Sequence, residues 1–138
     1  MNNPDDHNLR ELLARVRTIA VVGLSGKPHR ASYKVACYMQ EQGYRIIPIN
    51  PRLKEVLGEK AYPNLASVPE PVDLVNVFRR SEDVPEVVEE ALLLRPEAIW
   101  LQSGISHPGA AARVKENELS MIMDCCLMNK YKELFQKV

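Results

Sequence analysis

The sequence predicts a doubly wound α/β domain, three layers deep, with a mainly parallel sheet of five to six strands. Three observations carry the prediction. Residues 19–22 are a continuous apolar run, which reads as a strand covered on both faces, and residues 72–78, apolar in the majority, read as a strong strand. Stretches with helical spacing separate the strand patterns along the whole chain. The strands run into loops of Gly, Ser, Asn and Arg, and open α/β sheets bind ligands at such carboxyl ends.

The elements follow in order. Asp5 or Asp6 caps a short helix in which Leu9, Leu12, Leu13 and Val16 repeat at i, i+3, i+4 and i+7. This packing helix occupies residues 1–17. The first strand, 19–22, stops at Gly23. After the loop at 23–32, Tyr33, Val35, Ala36, Met39 and Gln40 keep helical spacing until Gly43 ends the helix. Residues 45–50 form the second strand. Pro48 removes a ladder donor there, which places this strand near an edge or at a bulge. Turn residues dominate 53–70, with a short edge strand near 60–62 and a helical turn near 65–68. A strong strand at 72–78 follows. Ser81, with Glu82 and Asp83 behind it, starts a helix that runs to about Arg95, where Pro96 ends it. The remaining pattern is a strand at 98–102 with Trp100 in the core, a helix at 109–118, a strand at 121–123 and a last helix at 127–135.

This succession fits the Rossmann-like strand order 3-2-1-4-5-6. The order reverses between the strands at 19–22 and 72–78, and four loops (23–32, 50–52, 78–81 and 102–107) meet at that switch point.

Composition narrows the function. The chain has 138 residues, enough for one domain (1–138), and its net charge is zero. Without a polybasic run or a long apolar stretch, nucleic acid and membrane are poor partners. The first residues, Met1-Asn2-Asn3-Pro4-Asp5-Asp6, are polar and acidic, unlike a leader peptide. Three cysteines, Cys37, Cys125 and Cys126, give an odd count that suits a reducing cytoplasm. No ligand spacing suggests a metal site.

The loop after the first strand suits a phosphate. Gly23 and Gly26 let the backbone approach a ligand, and the following helix offers free N–H groups and a positive dipole end. The glycines are too far apart for a G-x-G opening, so this is no dinucleotide fingerprint. Lys27, His29, Arg30 and Lys34 surround the loop, where charges near a helix start are ordinarily acidic. Leu24 lies in the loop, and Ser25 and Ser32 supply hydroxyls, Ser32 equally serving as a helix cap. After the second strand stand Asn50, Pro51 and Arg52, with no carboxylate for a plain ribose. Arg52 suits a phosphorylated ribose, as in NADP or the 3′-phosphate of coenzyme A. Phe78 and Arg79 close the strand beside the switch point, and Gln102, Ser103 and Gly104 leave the next one toward a ligand. Ser103-Gly104 is not a nucleophile elbow, and His107 precedes a helix start without an orienting carboxylate nearby in sequence. These residues describe a binding module better than an enzyme.

The chain resembles the CoA-binding protein family, small domains similar to the N-terminal domain of the succinyl-CoA synthetase alpha subunit. The resemblance rests on residues 19–23 with Lys27, Pro28 and Arg30, and on Gly43-Tyr44-Arg45 leading to Pro48-Ile49-Asn50-Pro51. It continues through Leu57-Gly58-Glu59, residues 72–75 with Val77-Phe78-Arg79, Trp100-Leu101-Gln102-Ser103-Gly104, and Met123-Asp124 with Cys126. It implies non-covalent binding of coenzyme A or acyl-CoA. The loop at 23–30 would hold the pyrophosphate, Asn50, Pro51 and Arg52 would border the adenosine, and Phe78 and Arg79 would flank the other side. The synthetases' phosphorylated histidine belongs to a further domain, so their activity is not implied. The sequence departs from the family at Leu24, where alanine is usual, at Cys125, where arginine is usual, at residues 129–131, and at residues 118–120, where a glycine turn is frequent. Cys126 reads either as a buried inert thiol or as one that faces the CoA thiol and could join it under oxidation. An NADP-binding oxidoreductase-like domain and an interaction module with an empty site are the rival readings.

Overall fold

A computed structural model describes residues 3–136; Met1, Asn2, Lys137 and Val138 of the predicted 1–138 domain lie outside the described residues. Five parallel strands form the central sheet: β1 (Thr18–Val22), β2 (Arg45–Ile49), β5 (Leu74–Val77), β6 (Ala98–Leu101) and β7 (Ser120–Ile122), in the order β2-β1-β5-β6-β7. The short strands β3 (Glu55–Val56) and β4 (Glu59–Lys60) pair only with each other. The predicted edge strand at 60–62 is thereby corrected. Residues 55–60 fold back as an antiparallel hairpin, and Tyr62 alone bridges Ile49 in parallel.

Alternation along each strand sorts the core into two halves. Ile19, Val21, Leu74 and Trp100 face α1 (Asp6–Arg15), α2 (Ala31–Glu41) and α5 (Leu127–Phe135). Ala20, Val22, Val75, Val77, Ile99 and Leu101 face α3 (Val84–Leu94) and α4 (Pro108–Glu116). Covered on both faces, β1, β5 and β6 have no polar stripe, which is why they read as continuous apolar runs. Trp100 is fully buried, as expected, and its indole N–H donates to the Cys125 carbonyl at 2.8 Å.

Local chemistry sets the element ends. The Asp5 carboxylate accepts the Asn8 N–H and caps α1. Pro48 sits in the edge strand β2, and its carbonyl accepts the Tyr62 N–H on the outer side. The missing proline N–H faces that same outer side, away from the β1 ladder. Ser81 does not cap α3. It opens a 3₁₀ turn (Ser81–Asp83), its hydroxyl accepts the Ser106 N–H, and α3 begins at Val84 with Pro85 in its first turn. The predicted end near Arg95 becomes a left-handed residue with φ 48° that stops α3 at Leu94. Strand β6 ends at Leu101 and β7 starts at Ser120, each one residue before the sequence reading placed it. Glu118, just beyond α4, takes φ 60°. At the amino-terminal edge of the sheet, the Asp73 carboxylate accepts the N–H groups of Arg17 and Thr18 at 2.9 and 3.0 Å, which locks β1 beside β5.

Candidate functional site

The carboxyl ends of β2, β1, β5 and β6 meet at the switch point between β1 and β5. Gly23 occupies the crossing. Its φ is +87°, and a Cβ there would lie 2.6 Å from the Phe78 carbonyl oxygen. Only glycine lets the exits of β1 and β5 come this close. The Gly23 N–H donates to the Ile49 carbonyl and the Phe78 N–H to the Val22 carbonyl, so three strand exits are tied together.

The loop beyond Gly23 is organised by its own hydroxyls. The Ser25 N–H donates to the Ser32 hydroxyl at 3.0 Å, and the Lys27 N–H donates to the Ser25 hydroxyl at 3.0 Å. Both hydroxyls keep a hydrogen to donate. Ser32 is therefore a loop anchor; Arg30 holds the cap position of α2 and supplies no capping side chain. The first turn of α2 contains no acidic residue, so its N–H groups face the loop without a counter-charge. Lys27, Arg30, Lys34 and Arg52 are exposed, and none belongs to an ion pair among the described residues. The Leu24 side chain is fully buried in the core, which leaves its backbone to the loop.

Asn50 joins the second exit to the first. Its amide N–H donates to the Leu24 carbonyl at 3.0 Å, while its side-chain oxygen accepts the Arg52 N–H at 2.9 Å. This fixes the loop floor and sets Arg52 on the turn beside it.

Two cavities flank this crossing and share Arg79. One, of about 320 Å³, is polar: Pro51, Asn64, Arg79, Asp83, Glu86 and Glu90 line it. The hydrogen bond from Arg80 holds the Asp83 carboxyl below its ordinary value, and the Arg79 guanidinium adds to this from 3.6 Å. The other, of about 460 Å³, is largely apolar and lies between the first turns of α2 and α5, with Phe78, Arg79, Gln102, Ile105, Cys126 and Met128 on its wall. Ser103 also borders it, whereas Gly104 (φ +81°) uses its N–H on the Asp124 carboxylate.

The sequence reading named Gly23, Ser25, Ser32, Asn50, Pro51, Phe78, Arg79 and Gln102, and the fold gathers these at the crossing or on a cavity wall. It missed Asn64, Glu86 and Glu90, which approach from the 3₁₀ turn (Leu65–Ser67) and from α3. The Pro63-Asn64 turn was visible in the sequence, but nothing local aims it at β1. Ile105 and Met128 were also missed, because an apolar loop residue and an apolar helix start look like core. His107 caps α4, its Nδ1 accepting the Ala110 N–H at 2.9 Å.

A family model described as a CoA binding domain matches residues 17–132. The Bacillus subtilis protein YneT is 45% identical over 127 residues, covering 92% of this chain and 94% of that protein. Subunit alpha of the ADP-forming acetate–CoA ligase II of Pyrococcus furiosus is 30% identical over 105 residues; the match takes in 75% of this chain and 23% of that subunit. A solved Thermus thermophilus structure superposes with a TM-score of 0.92 at 42% identity, covering 96% of this chain and 100% of that one.

Proposed function

The chain belongs to the CoA-binding domain family, and from that premise we propose that it binds coenzyme A or an acyl-CoA across the carboxyl ends of β2, β1, β5 and β6 without transforming it. The observation that carries this reading is the pair of unlike cavities that share Arg79 and flank the strand crossing, with the uncapped start of α2 bordering the apolar one. A CoA molecule has the same sequence of chemistry: a polar nucleotide, a pyrophosphate, then a long and mostly apolar arm. The adenosine occupies the polar cavity beside Pro51 and Asn64, where carboxylates can accept from its exocyclic amine. The pyrophosphate lies over Gly23, Ser25 and the first turn of α2, with Lys27 and Arg30 around it. The arm follows Phe78 into the apolar cavity. Arg52 pairs with the 3′-phosphate, and the carboxylates of the polar cavity keep that phosphate outside it.

A binding role also suits His107, whose Nδ1 is engaged as a helix cap. No helix among the described residues is long and apolar enough to cross a membrane. In this reading the protein works in the reducing cytoplasm, with its cysteines as free thiols.

Calorimetric titration of the purified protein with CoA, dephospho-CoA and NADPH tests the reading. CoA binds, dephospho-CoA binds about tenfold or more weakly, and Arg52→Ala removes most of that difference, as expected for one charge-assisted pair. NADPH binding in preference to CoA favours an NADP domain instead. No binding of any of the three leaves a scaffold whose use lies in its partners. Acetyl-CoA recovered intact after long incubation supports the absence of turnover.

A further inference from the structure

We propose that Cys126 captures the thiol end of CoA in a reversible mixed disulfide, so that oxidation converts a dissociable ligand into a tethered one. The inference rests on the CoA reading above and goes beyond it by assigning a covalent site.

Two independent features of the apolar cavity point to it. The first is the placement of Cys126. Cys126 stands on the cavity wall, on the residue immediately before α5, with Met128 and Ile105 beside it. The second is Gln102, whose side chain is only 6% exposed. Its Oε1 accepts the Leu127 N–H at 3.3 Å, which fixes the amide and anchors the start of α5. Its Nε2 has no hydrogen-bond partner among the described residues, and the residue borders the cavity. Nε2 is not among the fully buried atoms left without a partner, so it stays accessible on this wall and free to donate to an acceptor there. The amide carbonyls of a pantetheine arm are such acceptors. A hydrogen bond from Gln102 to one of them registers the arm, and the register decides which wall residue the terminal sulfur meets.

The neighbouring cysteine does not compete. The Cys125 carbonyl is held by the Trp100 indole, and burial pushes the Cys125 thiol up, which leaves it a poorer nucleophile than an ordinary thiol. Cys37 lies within α2 and is absent from the residues lining this cavity.

The step balances with CoA disulfide as the oxidant. The Cys126 thiol gives its proton to solvent, and its sulfur attacks one sulfur of the reagent. A Cys126–S–S–CoA bond forms as the reagent's S–S bond breaks. One CoA thiolate leaves and takes up a proton. A low-molecular-weight thiol reverses the exchange. Occupancy of the site thus follows the ratio of CoA disulfide to free thiol.

The test uses the full chain, reduced and freed of ligand, mixed with CoA disulfide or glutathione disulfide and followed by intact mass and peptide mapping. One CoA is added per chain at Cys126, at least about tenfold faster than glutathione, because binding raises the local concentration of the right disulfide. Cys126→Ser abolishes the adduct and Cys125→Ser retains it, while calorimetry on the reduced natural sequence shows CoA binding. Peptide mapping of the natural sequence locates the adduct even where a variant folds poorly. Three outcomes overturn the inference and leave the CoA reading standing: CoA binding without an adduct, equal rates with both disulfides, or labelling spread over Cys37 and Cys125. Absence of both CoA binding and adduct overturns both.

Discussion

Replacing Gly23 with alanine tests the strand crossing on which the site is built. The new Cβ would stand 2.6 Å from the Phe78 carbonyl oxygen and 3.3 Å from the Arg79 Cδ. The arginine chain can move; the carbonyl belongs to the exit of β5 and cannot move freely. The residue's φ of +87° adds about 1–2 kcal/mol of strain for any side chain. Relieving the clash draws Phe78 away from Val22, or Gly23 away from Ile49, and weakens a hydrogen bond worth about 1 kcal/mol. The expected loss is about 3 kcal/mol, or about 10 °C in melting temperature for a chain of this size. Urea unfolding followed by circular dichroism measures it. Gly26→Ala is the matched control. Its φ is not left-handed and its Cβ would sit 3.4 Å from a Leu53 methyl, so it should change stability by less than about 0.5 kcal/mol. An unchanged midpoint for Gly23→Ala, or equal losses for the two variants, would refute the close-approach argument.

Two further outcomes follow from the same structure. Burial pushes the Tyr44 hydroxyl up to about 12, and it donates to the Leu13 carbonyl. A raised value means the folded state holds the proton more tightly, so this stabilisation is complete below the ordinary value of 10.0 and is lost as pH rises toward about 12. Tyr44→Phe should flatten the fall of stability across that window in urea titrations at stepped pH; an unaltered slope would count against the buried hydroxyl. Asp73→Ala removes two hydrogen bonds to a carboxylate at the far end of the sheet and should cost about 2 kcal/mol with no change in CoA affinity. A change in affinity would mean that the two ends of β1 and β5 are coupled.

Much of this architecture was legible in the chain. Residues 19–22 read as a strand covered on both faces and 72–78 as a strong strand, and the alternation of strand and helix patterns implied crossovers and a mainly parallel sheet. Gly23 was legible as the end of a strand and the start of a loop, because a glycine after a β-branched run ends the strand and lets the backbone approach a ligand. The elements that went astray were short or governed by distant partners. The 55–60 hairpin carries only two residues per strand, too few for a period to show. Ser81 looks like a cap, yet its hydroxyl is claimed by Ser106, which lies 25 residues away.

The sequence by itself determined the layers, the switch point and the chemical character of the loop, because these depend on periodicity and on residue types that only one local conformation accepts. The tertiary structure decided what the site contains. Asn64, Glu86 and Glu90 reach it from elements whose own sequences concern only their packing. Gln102 and Cys126 share a cavity only because β6 ends beside the start of α5. Local interactions choose an element's conformation, while long-range packing chooses its neighbours, and a cavity is made of neighbours.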